Sequence, residues 1–71
     1  MRRRAEADIL RDQIRNQRAW IIRHGKTLEG YIAHHKRNFA YSSDVALVLY
    51  SSDMEVLSNL ENRLKELEEK P

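Results

Sequence analysis

Leu57-Ser58-Asn59-Leu60-Glu61-Asn62-Arg63-Leu64-Lys65-Glu66-Leu67 places four leucines at spacings of three, four and three. That is the a/d seam of a coiled coil, and it predicts an amphipathic helix over about 53–69. Val56 precedes the seam at a flanking position and can widen the buried face. Glu61 to Lys65 and Glu66 to Lys70 are i,i+4 pairs in the favourable order, each worth about 0.2–0.5 kcal/mol. Two heptads do not stand alone, so this helix needs a partner.

Upstream, Tyr41-Ser42-Ser43-Asp44-Val45 recurs nine residues later as Tyr50-Ser51-Ser52-Asp53-Met54. A nine-residue echo is too short for a solenoid repeat. Capping chemistry accounts for it better, because Ser and Asp accept hydrogen bonds from the free N–H groups of a first helical turn. Ser52 with Glu55 fits a capping box, whereas Ser43 has Ala46 at the corresponding position. A helix start is therefore expected near Ser52 and a second one near Ser43. The segment 44–50 between them holds Val45-Ala46-Leu47-Val48-Leu49-Tyr50, which is apolar on every side. Periodicity does not separate helix from strand there. A lone strand has nothing to pair with, so helix is favoured.

The N-terminal region reads as a basic helix over about 3–24. Ala7, Leu10, Ile14, Gln17 and Ile21 form one stripe at 3/4 spacing. Gly25 suits the left-handed position after a helix, and Thr27 can cap a shorter element in the middle segment, about 27–41. In it Leu28, Tyr31, Ile32, His35 and Phe39 share a face. Gly30 weakens that helix by about 1 kcal/mol relative to alanine. If Gly25 does not break the chain, Leu28 and Tyr31 continue the first stripe, and one helix to about residue 40 is the alternative.

The expected fold is all-α. It is a single domain, 1–71, built as a small two- or three-helix unit: a helical hairpin with a short middle helix and a coiled-coil-like C-terminal helix. Leu10, Ile14 and Ile21 would meet Leu57, Leu60 and Leu64, with the two long helices antiparallel. Seventy-one residues make a core that rarely supplies more than about 3–5 kcal/mol, and cysteine is absent, so disulfides do not supplement it. Association is the remaining route, and a dimer joined through Leu57, Leu60, Leu64 and Leu67 is expected.

Charge is divided along the chain. Residues 1–40 carry ten Lys/Arg against four Asp/Glu, a balance of +6, and residues 41–71 carry three against seven, a balance of −4. Such halves either face each other or leave the basic one to an outside anion. Arg4, Arg11, Arg15 and Arg18 fall within about 60° of arc beside the apolar stripe. Arginine forks match phosphate, so with Lys36 and Arg37 this row is a candidate contact for nucleic acid or an acidic protein. Asp8, Asp12 and the acidic last helix offer it internal partners instead. His34-His35-Lys36-Arg37, among Tyr31, Phe39 and Tyr41, mixes charge with rings as a single-strand binder does, but the shared face of Tyr31, His35 and Phe39 points to core packing.

Chemistry is not indicated. Adjacent His34 and His35 diverge by about 100° on a helix and chelate poorly. No nucleophile elbow, glycine-rich phosphate loop or HExxH occurs, and no metal, cofactor or enzymatic activity is expected. No apolar run approaches the ~18–20 residues of a membrane span, and the acids after Met1-Arg2-Arg3-Arg4 do not fit a transit peptide. The expected location is cytoplasmic. The function expected is protein–protein interaction: a self-associating regulator, adaptor or inhibitor that docks on a larger protein. The alternative is a small nucleic-acid-binding protein using the arginine row.

Overall fold

The computed structural model describes residues 5–69, and among these it is all-α, with three helices: α1 (Glu6–Arg23), α2 (Leu28–Phe39) and α3 (Ser43–Glu69). Arg4 and Lys70 lie outside the described residues.

The stop after α1 follows from Gly25. Its N–H reaches the Ile22 carbonyl, and the Lys26 N–H reaches back to Ile21 at 2.8 Å. This pairing closes the open carbonyls of a helix end and needs positive φ, which Gly25 (134°) and Lys26 (71°) both adopt. Thr27 then caps α2, its hydroxyl accepting from the Gly30 N–H at 3.1 Å. Residues 6–39 are therefore two helices, not one.

Gly30 does more than weaken α2. A Cβ on it would fall on the Gly25 carbonyl, and a Cβ on Gly25 would fall on the Gly30 backbone. The corner closes only because both positions lack a side chain.

The expected helix start at Ser52 is corrected. α3 runs unbroken through Ser51-Ser52-Asp53, and the apolar segment 44–50 is its first two turns. The cap lies at Ser42, whose hydroxyl accepts from the Val45 N–H at 3.3 Å. Apolar residues on both sides of Ser51-Ser52-Asp53 carry the helix across a sequence that caps elsewhere.

α1 and α2 each pack on α3 and not on each other, lying in succession along one helix. Ion pairs fix α1 antiparallel to α3: Arg11 meets Glu68 and Arg18 meets Glu61, both at 2.6 Å, while Glu6 meets Arg63 at 2.7 Å on the other edge. The result is a ribbon two helices wide, with Cα extents of 49 × 20 × 13 Å. Its radius of gyration is 15.2 Å, against about 11 Å for a globular chain of this length.

A ribbon has little interior. Among the described residues the core is Leu10, Ile14 and Ile21 of α1, Tyr31 and His35 of α2, and Ala46 of α3. Phe39, expected beside Tyr31 and His35, is instead 52% exposed. It closes the last turn of α2, where its ring lies against His34, His35 and Tyr41. No helix among the described residues is long and apolar enough to cross a membrane.

Candidate interaction surface

The ribbon has two broad faces that differ in character. The first carries the arginines. Arg11 and Arg18 are seven residues apart on α1, and their partners Glu68 and Glu61 are seven apart on α3. Two ion pairs of the same register thus line one edge of the helix pair, as e/g pairs do in a coiled coil. Arg15 pairs along its own helix with Asp12 at 3.2 Å, and Arg11 adds Asp8 at 3.0 Å. Between the charged rims runs a groove of about 650 Å³ floored by Ile14, Ala19, Ile22 and Leu64. All these ion pairs are solvent-exposed, and each is worth about 0–1 kcal/mol. Their effect is on register more than on stability.

The opposite face is poor in charge. Glu6 and Arg63 neutralise each other, and the exposed polar groups of α1 here are the amides Gln13 and Asn16. Trp20 stands on this face, 49% exposed. It walls two grooves at once: one of about 450 Å³ with Gln13, Val56 and Leu60, and one of about 320 Å³ with His24, Phe39, Tyr41 and Leu49.

Asp53 anchors this tryptophan. Its Oδ2 accepts from Trp20 Nε1 at 3.2 Å and from the Tyr31 hydroxyl at 2.8 Å, while the Asp53 carbonyl accepts from the Gln17 amide at 2.9 Å. One residue of α3 thus holds both α1 and α2. Tyr31 is fully buried, and that burial, followed by the adjacent carboxylate, pushes its phenol well above the ordinary 10.0.

Where α1 turns into α2, three imidazoles gather. The His24, His34 and His35 ring centroids lie 5.1–5.7 Å apart, and His24 also lies tilted against Trp20 with ring centroids 4.1 Å apart. His24 Nδ1 donates to the Trp20 carbonyl and His35 Nδ1 to the Tyr31 carbonyl, each at 2.8 Å. Those acceptors place the proton of each neutral ring on Nδ1. His34 is held below its ordinary 6.5, first by partial desolvation and then by His35, His24 and Arg37. Among the described residues no three His, Asp or Glu side chains are placed to hold a metal ion. The sequence gives His34 and His35 as neighbours but not His24, which the Gly25 corner brings to them.

The four seam leucines are each half-buried. Leu64 opens onto the charged face and Leu60 onto the Trp20 face. Lys36 and Arg37 are exposed near the end of α2, away from Arg11, Arg15 and Arg18 on α1. The structure therefore gathers three of the basic candidates in one groove and sets two apart. Of the two residues at the centre of the opposite face, Trp20 is marked in the sequence by its position roughly 100° off the Leu10/Ile14 stripe, where it either widens the buried face or meets a partner. Asp53 reads in the sequence only as part of a cap. Compared with protein-family models, curated proteins and solved structures, the chain matches none.

Proposed function

We propose that this chain is a non-enzymatic protein–protein interaction module that pairs with itself and docks, as a regulator, adaptor or inhibitor, on a larger protein. One observation carries the reading: Leu57, Leu60, Leu64 and Leu67 stay half-buried in a ribbon whose described residues form no second layer to cover them. Apolar surface left at a two-helix seam is what a second helix pair covers in a four-helix bundle. Val45, Leu47 and Val48 add exposed apolar area at the start of α3. Sedimentation equilibrium over a wide dilution series tests it. A mass of twice 8.5 kDa that dissociates on dilution is expected, and a monomer at every concentration removes self-association.

The competing reading is nucleic-acid binding by Arg4, Arg11, Arg15, Arg18, Lys36 and Arg37. In its favour, Arg11, Arg15 and Arg18 line one groove, and the Arg15 side chain is 74% exposed. Against it, Glu61 and Glu68 stand in the same groove and repel phosphate. Duplex binding whose log affinity falls with log salt at a slope of roughly −0.9 per phosphate contacted would favour it. No binding at low salt removes it.

A further inference from the structure

We propose that the Trp20 face is the surface on which a second copy of this chain seats, and that the two copies lie end for end about Trp20. The proposal rests on the self-association reading above and assigns its site and its symmetry.

A two-fold interface requires a surface that maps onto itself. On α3 the residues Val45, Leu49, Val56 and Leu60 are spaced four, seven and four. They fall within about 60° of arc on the helix. This spacing reads the same in both directions about a midpoint between Ser52 and Asp53. Asp53 is the residue that holds the Trp20 indole, so the one tryptophan marks the centre of the row. Its two flanking grooves are completed by Leu49 on one side and by Val56 and Leu60 on the other. Turning a second copy end for end sets Val45 against Leu60 of that copy, Leu49 against its Val56, and indole near indole. Ser52, small and exposed, sits at the crossing of the two α3 helices.

Electrostatics selects this face over the other. Ile22, Leu47 and Met54 are also exposed, but Ile22 shares its groove with Arg11, Arg15, Arg18 and Lys65. Seating a second copy there would desolvate several charges at once. On the Trp20 face Glu6 and Arg63 are already paired, and Asp53 already accepts two hydrogen bonds. An aromatic anchor surrounded by aliphatic side chains is also the usual composition of an interface centre.

The area agrees. The chain exposes 5504 Å², against about 4,700 Å² for a compact monomer of its mass. The excess, roughly 800 Å², matches what one partner contributes to a standard interface.

The test follows the emission of Trp20, the only tryptophan, along the same dilution series that reports mass. A blue shift with the midpoint of dimerisation is expected. Val56→Glu, at a position already 44% exposed, should keep its helical circular dichroism and weaken the dimer by roughly 30-fold or more. Because the chain has no cysteine, orientation is read from single-cysteine variants. Val45→Cys should cross-link to Leu60→Cys through a short bis-maleimide faster than to itself. A dimer whose Trp20 emission does not change, or one indifferent to Val56→Glu, overturns the face and leaves self-association standing. Preferred Val45–Val45 cross-linking overturns the end-for-end arrangement. A monomer throughout overturns both.

Discussion

The Tyr31 hydroxyl donates to Asp53 at 2.8 Å, and through this bond a fully buried ring of α2 is tied to the α3 residue that also holds Trp20 of α1. Removing the carboxylate strands two donors. Asp53→Ala is expected to cost about 1–3 kcal/mol, mostly from the unpaired Tyr31 hydroxyl. Asp53→Asn keeps an acceptor and should cost less. Adding Tyr31→Phe to Asp53→Ala should recover part of the loss. Urea denaturation of the parent, Asp53→Ala, Tyr31→Phe and the double variant gives the coupling.

The same pair contributes to the loss of stability in alkali. The Tyr31 phenol is raised above 10.0, so above pH 10.0 the unfolded chain loses a proton that the native state keeps. Stability is complete below that pH and falls above it by up to about 1.4 kcal/mol per unit from this group alone. Thermal melts between pH 9 and 11 should show a shallower decline in Tyr31→Phe than in the parent.

At the acid end His34 acts with the opposite sign. Its folded value is depressed below 6.5, so its contribution is present above pH 6.5 and is lost as pH falls below it, where the unfolded chain takes up the proton first. Proton NMR should place the His34 midpoint below 6.5. In His34→Asn the melting temperature should depend less on pH through that window.

Gly30→Ala reverses a propensity rule. An exposed helical glycine replaced by alanine ordinarily gains about 1 kcal/mol. Here the added methyl meets the Gly25 carbonyl, and the corner must open. A net loss of roughly 1–3 kcal/mol is expected in chemical denaturation. An increase in stability would show that the two backbones are not in contact.

Ile14 and Leu64 separate core from seam. Ile14 is 6% exposed, and Ile14→Ala should cost about 2–5 kcal/mol at any protein concentration. Leu64 is half-buried, so Leu64→Ala should cost about half as much in the isolated chain. Leu64 opens onto the charged face and not onto the Trp20 face, so with the second copy seated about Trp20 its cost should be the same in melts at two concentrations a hundredfold apart.

Local chemistry carried much of the fold into the sequence. Leu10, Ile14 and Ile21 mark a buried stripe by spacing alone, Gly25 marks the stop, and Thr27 marks the next start. Ser52 and Asp53 were misleading for a physical reason. Their side chains have the groups of a cap, and whether a cap forms depends on the surroundings. Asp53 is claimed by Trp20, thirty-three residues away, and by Tyr31, twenty-two away. No local window contains that information. The arginine row is a similar case: opposite charge along the chain shows that acids and bases can meet, but only the antiparallel register pairs Arg11 with Glu68 and Arg18 with Glu61. The histidine corner depends on a close approach of Gly25 and Gly30 that spacing does not report.

A ribbon 13 Å thick buries only Leu10, Ile14, Ile21, Tyr31, His35 and Ala46 among the described residues. Leu60 supports the fold from one side of its side chain and leaves the other open, and Trp20 does the same through its nitrogen and its ring. Under the proposed self-association, stability and recognition are written in one set of letters. Sequence drift cannot adjust the fold without editing the exposed surface, and a substitution selected for a firmer fold will also redraw the face that the proposed second copy would meet.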